Sequence, residues 1–199
     1  GDLSMIIPDM ARGYDLIGDQ YSHAPIWHQL VPFAAGSLVS TARDIVDYRR
    51  AVFRSDAISD AVRHTLLSTT TLSGGQENRY SLGGLVLSTF HGHDKVSHAG
   101  DIWGYASNHA YYPAEDLTIV MLANRQMSNP ALSSVEAKVA RIVLGIPQPD
   151  IRRLKLSESE LTRYTGEYEV YPFLIGFERL GFSAAEGGQL LMHFGGLEA

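Results

Sequence analysis

The chain has 199 residues, of which 45% are hydrophobic and 19% are charged, and its formal net charge is −6. This length suits one domain, or one domain with an extension, and the ordinary hydrophobicity argues against a disordered chain. The absence of cysteine excludes a disulfide framework, a thiolate zinc site and a cysteine nucleophile. No basic run occurs, which argues against a nucleic-acid partner, and the longest apolar run is too short to span a bilayer.

Residues 1–39 predict mostly irregular structure, because glycine and proline recur throughout them. Aromatic side chains lie between these residues and are expected to pin the segment onto a core, since each can bury a large apolar area. They are Tyr14, Tyr21, Trp27 and Phe33.

Two helices are predicted next. Thr41 is a suitable N-cap, and Asp44 follows it at the spacing of a capping box. Apolar residues then recur at helical spacing on one face, at Ile45, Tyr48, Val52 and Phe53. Residues 59–67 predict a second, shorter helix.

The pattern then changes to one typical of β-strands. Strands are predicted over residues 85–90, 95–98, 105–112 and 117–123, with a turn at 91–94 and a kink at 99–101. Because the connections are short, we expect the strands to be antiparallel neighbours.

A final helix is predicted with Asn129 as its N-cap and Pro130 in the first helical position, and Gly145 and Pro147 are expected to end it. A polar connector follows and then strand-like segments interrupted by glycine pairs. The chain is therefore expected to divide into residues 1–149 and residues 150–199, the latter forming a linker and the beginning of a small β-barrel-like extension.

Histidines are the first candidates for chemistry, and three of them surround one predicted hairpin, at His91, His93 and His98. A metal site needs three or four converging ligands, and Gly92 favours a turn that would separate these side chains. Metal binding therefore stays a weaker alternative than solvated hairpin histidines.

The segment around His98 is more informative. It places a titratable side chain on a strand, followed by Gly100, which lets a ligand or another backbone approach closely. An edge strand of this kind can offer a backbone N–H to a substrate oxygen while the imidazole donates a hydrogen bond or carries a proton. A turn histidine beside a β-bulge is the structural alternative.

Several segments resemble, in the same order, those of the serine β-lactamase-like family, which includes class C β-lactamases, penicillin-binding proteins, D-aminopeptidases and esterases. The segments are A-R-G-Y (11–14), A-A-G-S-L-V-S-T-A-R-D (34–44), Y-S-L-G-G (80–84), H-A-G (98–100) and L-T-I-V-M-L-A-N (117–124). Gly84 departs from the pattern, since tryptophan is usual there. Y-T-G-E-Y (164–168) is similar to the start of a C-terminal β-barrel in some members.

The resemblance implies an α+β fold, in which an antiparallel sheet packs against helices, and acyl transfer to a serine in an S-x-x-K motif. It implies that His98 and Gly100 line the cleft, that the backbone N–H of Asp101 completes the oxyanion hole, and that the substrate is a small acyl compound. Trp103 and Tyr105 are expected to form an aromatic side of the substrate pocket, or to be core. No cofactor is implied, and the resemblance favours an extracytoplasmic location.

The chain contains neither S-x-x-K nor Y-x-N nor S-x-N. The resemblance therefore implies the C-terminal portion of a serine hydrolase, inert alone, whose substrate is a β-lactam, an ester or a D-amino-acid peptide. A non-catalytic binding or regulatory module on the same scaffold is the alternative. If the N-terminal strands of the family fold are missing, residues 117–123 form an open edge, which predicts self-association or an N-terminal partner chain.

Overall fold

The computed structural model describes residues 8–25, 31–75, 77–126, 131–148, 156–174, 177–185 and 188–195. The chain divides into two compact units, Gly1–Gln148 and Pro149–Ala199. Within the described residues, no helix combines the length and the apolar character that a membrane crossing requires.

The first unit begins with a hairpin and continues with helices and a four-stranded sheet. Its elements are β1 (Tyr14–Ile17), β2 (Gln20–His23), α1 (Phe33–Gly36), α2 (Ala42–Arg54), α3 (Asp60–Leu67), β3 (Thr70–Thr71), β4 (Glu77–Asn78), β5 (Val86–Phe90), β6 (His93–Ile102), β7 (Tyr105–Tyr112), β8 (Leu117–Ala123) and α4 (Leu132–Val143).

Strands β5, β6, β7 and β8 form an antiparallel sheet in that order, as the short connections predicted. The bounds predicted for β7 and β8 are confirmed. The predicted kink at residues 99–101 is wrong, because Ala99, Gly100 and Asp101 pair regularly with β7. Gly100 fits there since a Cβ atom at this position would lie 2.9 Å from the Ser107 hydroxyl oxygen.

The two long helices contact opposite faces of this sheet, because side chains alternate between the faces along each strand. On one face, Ala140 of α4 packs against Ala110, Tyr112 and Ile119. On the other face, Phe53 of α2 stacks on Tyr111 at a ring distance of 4.7 Å. The predicted α+β fold, with an antiparallel sheet packed against helices, is confirmed.

The helix starts follow local capping chemistry. The Thr41 hydroxyl accepts a 3.1 Å hydrogen bond from the Asp44 N–H, which confirms the predicted cap of α2. Ser59 caps α3 in the same way. Helix α4 begins at Leu132, after an N-cap at Ala131, so the predicted N-cap at Asn129 is wrong by two residues. Asn129 and Pro130 themselves lie outside the described residues.

The N-terminal segment is more regular than predicted, since strands β1 and β2 form a hairpin. Its aromatic side chains do not all pin it to the core, because Tyr21 is 64% exposed and Phe33 is 71% exposed. Hydrogen bonds to residues at the end of the sheet hold the segment instead. The Tyr14 N–H donates to the Asn124 carbonyl beyond the end of β8. Trp27 lies outside the described residues.

The second unit contains a capped helical turn, α5 (Glu158–Leu161), and three antiparallel strands. These are β9 (Gly166–Leu174), β10 (Phe177–Ala185) and β11 (Gln189–Gly195), with β10 in the centre. The predicted division into two domains and the predicted β-barrel-like extension stay predictions.

Candidate functional site

Strand β6 extends beyond its neighbour β5. The pairing with β5 covers β6 only from His93 to Ser97, whereas the pairing with β7 continues to Ile102. In the described part of the chain, residues 98–102 therefore have a strand on one side only. Such an edge can present backbone hydrogen-bonding groups to an extended ligand.

His98 lies at the beginning of this edge and contacts Tyr80, which comes from the segment before β5. The Tyr80 hydroxyl oxygen is 2.5 Å from His98 Nε2, and the two rings meet edge to face. Tyr80 is 46% exposed, whereas His98 is half-buried. The pair thus joins an exposed tyrosine to a half-buried histidine of the sheet.

A second imidazole lies behind the first. His109 of β7 is the direct cross-strand partner of His98, and the two rings stack with centroids 6.4 Å apart. Arg49 of α2 lies within 2.7 Å of His109, measured from Nη2 to Nε2, and is only 7% exposed. Tyr80, His98, His109 and Arg49 therefore form a row in which the ring contact of the two histidines links two hydrogen-bonded pairs, and we call this row the imidazole chain.

The charges in the imidazole chain follow from burial. Desolvation, together with the positive charge of Arg49 and the nearby His98, lowers the pKa of His109 to about 4. His109 is therefore neutral near pH 7, and its Nε2 atom accepts the hydrogen bond that the guanidinium donates. Burial also lowers the pKa of Arg49. No carboxylate pairs with Arg49 among the described residues.

The other predicted site residues lie along the same strand and its turn. Gly100 shares the face of His98, whereas the side chain of Asp101 belongs to the opposite face and is exposed. Trp103 lies in the turn after β6 and is 47% exposed. The Tyr105 hydroxyl donates a 2.8 Å hydrogen bond to the Ala11 carbonyl.

The aromatic pair Trp103 and Tyr105 is not brought to His98. Ile102 lies four positions after His98 on an extended strand, which corresponds to about 13 Å. Tyr105 instead helps to fix the N-terminal segment to the end of the sheet. The predicted substrate-binding and catalytic roles stay predictions for all five residues, His98, Gly100, Asp101, Trp103 and Tyr105.

The three histidines considered for metal binding have three different partners. His91 Nε2 is 2.5 Å from Arg141 Nη2, and His93 Nδ1 is 2.5 Å from Glu115 Oε1, whereas His98 contacts Tyr80. No group of three metal-ligating side chains converges within the part of the chain that the structure describes.

Sequence reasoning missed Arg49, His109 and the role of Tyr80. Two signals were present. A two-residue turn at positions 103 and 104 places His98 opposite His109. Arg49 lies four residues after Ile45 and four before Phe53, so it occupies the apolar stripe of α2 and is expected to be buried.

Comparisons with known proteins agree with the fold. The family model described as Beta-lactamase matches residues 6–143. Penicillin-binding protein 4* of Bacillus subtilis (strain 168) is 23% identical over 139 residues, which cover 67% of this chain and 31% of that protein.

Two solved structures have a similar fold. A D-stereospecific amidohydrolase from Streptomyces sp. aligns with a TM-score of 0.55 and 17% identity, over 70% of this chain and 41% of that one. A penicillin binding protein from Bacillus halodurans aligns with a TM-score of 0.51 and 17% identity, over 68% of this chain and 42% of that one. The chain thus spans less than half the length of these proteins. Because the match to the family model covers most of the chain, the chain belongs to the Beta-lactamase family.

Proposed function

We propose that the first unit supplies one side of the acyl-transfer cleft of a serine hydrolase. The observation that carries the proposal is the edge of β6, where His98 and Gly100 follow one another on a face next to Tyr80. In this proposal His98 binds the substrate or its leaving group, and Gly100 allows the acyl group to approach the strand. The backbone N–H of Asp101 stabilises the oxyanion.

The reaction proceeds through an acyl-enzyme. A serine hydroxyl attacks the carbonyl carbon, the leaving group departs with a proton, and water then releases the acyl group. The nucleophile lies on a segment that these 199 residues do not include, because S-x-x-K is absent from them. The chain by itself is therefore inert, since binding groups without a nucleophile give only weak stabilisation.

The substrate is a β-lactam, an ester or a D-amino-acid peptide. The names of the similar proteins support this set, since one is a penicillin-binding protein and another a D-stereospecific amidohydrolase. The fold itself does not choose among these substrates.

The first test is turnover by the chain alone. We expect no hydrolysis of a chromogenic β-lactam or a p-nitrophenyl ester above the rate of the His98→Ala variant. Hydrolysis by the wild-type chain that this substitution abolishes would contradict the proposed inertness.

The second test uses the complete reading frame. If it encodes S-x-x-K and Y-x-N, we expect the complete protein to hydrolyse such substrates and His98→Ala to lower kcat/KM by at least tenfold. The exposed His64 on α3 supplies a matched control, since His64→Ala should leave kcat/KM unchanged. A reading frame without these motifs would favour the binding or regulatory module.

A further inference from the structure

The two ring nitrogens of His98 have different environments. Nε2 is occupied, because the Tyr80 hydroxyl oxygen lies 2.5 Å away. Among the described residues, no hydrogen bond reaches Nδ1. A substrate that contacts this imidazole through a polar atom therefore meets Nδ1, as long as Tyr80 keeps its place.

The far side of the ring is also fixed. His109 stacks on His98, and Arg49 holds His109 by a 2.7 Å hydrogen bond from α2. Arg49 cannot accept a hydrogen bond, so the Nε2 atom of His109 carries no proton. Rotation of the His98 ring would lose the Tyr80 contact and the stacking on an anchored neighbour at once.

The direction of the proton between Tyr80 and His98 follows from their chemistry. A phenol hydroxyl is a stronger hydrogen-bond donor than a neutral imidazole N–H, and an imidazole nitrogen is a stronger acceptor than a phenol oxygen. The Tyr80 hydroxyl therefore donates to Nε2, and the proton of the neutral His98 ring resides on Nδ1.

We propose that Tyr80 is a positioning residue that holds His98 as the Nδ1–H tautomer, so that His98 offers an N–H donor to an oxygen of the substrate. The Arg49–His109 pair supports the ring from the other side. The use of this donor by a substrate rests on the proposed function. In that function, the Nδ1–H tautomer makes His98 a neutral hydrogen-bond donor to a carbonyl or carboxylate oxygen of the substrate.

The tautomer is measurable directly on this chain. In protein labelled with ¹⁵N-histidine, long-range ¹H–¹⁵N spectra at pH 8 should show a proton-bearing Nδ1 and a proton-free Nε2 for His98. The signals are assigned by their loss in His98→Gln. In Tyr80→Phe we expect the Nε2–H tautomer, which prevails for histidine in water, to replace the Nδ1–H tautomer.

Tyr105→Phe is the matched control. It also removes a tyrosine hydroxyl, but this hydroxyl lies at the start of β7 and contacts the Ala11 carbonyl instead of a histidine. The spectrum of His98 should be the same in this variant as in the wild type. An Nε2–H tautomer in the wild-type chain would overturn the proposal even if Tyr80→Phe failed to fold. An unchanged His98 spectrum in folded Tyr80→Phe would also overturn it. Neither result depends on turnover, so failure of the hydrolase proposal is distinguished from failure of this one.

Discussion

The buried guanidinium of Arg49 and the ring of His109 constrain each other's charge. Desolvation by burial is the main reason why the pKa of His109 falls to about 4, and the positive charge of Arg49 lowers this pKa further. The unfolded chain has no such neighbour, so its histidine takes up a proton near pH 6.5. In the folded protein, His109 takes up a proton only near pH 4.

A pH dependence of stability follows. Between about pH 6.5 and pH 4 the unfolded state binds more protons at His109, so the free energy of unfolding falls as the pH decreases. Because the ring is only half-buried, we expect this residue to contribute about 1–2 kcal/mol between pH 7.5 and pH 4.5. Urea unfolding at both pH values, compared between wild type and His109→Gln, measures the contribution.

His64→Gln is the control for this measurement, because it removes an exposed imidazole from α3. The pH dependence of this variant should match that of the wild type. If His109→Gln also retained the full wild-type difference between pH 7.5 and pH 4.5, the assignment of the lowered pKa to His109 would be wrong.

A second buried polar group is the Glu136 carboxylate of α4. Glu136 has no exposed surface, and its carboxylate contacts the Lys95 ammonium and accepts a 2.6 Å hydrogen bond from the Tyr112 hydroxyl. Burial raises the pKa of Tyr112, and the hydrogen bond to Glu136 and its negative charge raise this pKa further. This arrangement connects β6, β7 and α4.

We expect Lys95→Met to lower the free energy of unfolding by about 3 kcal/mol, because it leaves the buried Glu136 carboxylate without its cation. The double variant Lys95→Met/Glu136→Gln should recover part of that loss, since it removes the uncompensated charge. Guanidinium unfolding of the two variants checks this. Equal stabilities of the single and double variants would show that the charge is already compensated by other groups.

The H-A-G segment predicted the location of the candidate site, but it did not predict the partners of His98. Tyr80 is 18 residues away and Arg49 is 60 residues from His109, so only the packed sheet and helix bring them together. Arg49 was missed because arginine is ordinarily assigned to a solvated helix face, although its spacing here places it on the buried one.

At the scale of elements, hairpins position the site. The turns that join β5 to β6 and β6 to β7 each contain a glycine with positive φ, at Gly92 (+86°) and Gly104 (+81°). The surroundings of the two glycines differ. A Cβ atom at Gly92 would meet nothing within 4 Å, whereas at Gly104 it would lie 2.5 Å from the Ala24 side chain and 2.9 Å from Gly13.

This difference supplies a matched pair of variants. Gly92→Ala should cost about 1–2 kcal/mol, which is the strain of a left-handed conformation alone. Gly104→Ala should cost more and should displace the β1–β2 hairpin, because Gly13 and Ala24 flank that hairpin. Thermal unfolding and hydrogen exchange at the Tyr14 amide measure the two effects. Equal destabilisation, with unchanged exchange at Tyr14, would contradict the proposed docking.

Element boundaries were predictable where the chain itself marks them. Pro113 follows β7 directly, and the Thr41 and Ser59 side chains mark the starts of α2 and α3. The kink predicted at residues 99–101 was wrong because all three residues pair regularly with β7, where the Ser107 hydroxyl lies beside Gly100. Such pairing depends on the register of two strands, which local sequence does not contain.

At the scale of the whole molecule, β8 is the outermost strand of its sheet in the described residues. It is an apolar edge, and Leu122 on it is 43% exposed. Edges of this kind pair with other strands unless charge or proline prevents it. The first unit is therefore expected to acquire a partner strand along residues 117–123.

We predict that the isolated chain self-associates at micromolar concentration and that Leu122→Lys makes it monomeric, because a lysine on the edge opposes strand pairing. Multi-angle light scattering of both proteins measures the difference. A wild-type chain that stays monomeric at the highest soluble concentration would contradict the prediction. The resemblance implied an open edge at residues 117–123, and β8 lies at the end of the strand order in the described sheet.

The most direct test of the central claim is acylation of the chain itself. Intact-mass spectrometry after incubation with a β-lactam, and separately with an activated ester, should show an unchanged mass, since none of its serines lies in S-x-x-K. A stoichiometric acyl adduct on a serine of these 199 residues would contradict the account, because the chain would then carry its own nucleophile.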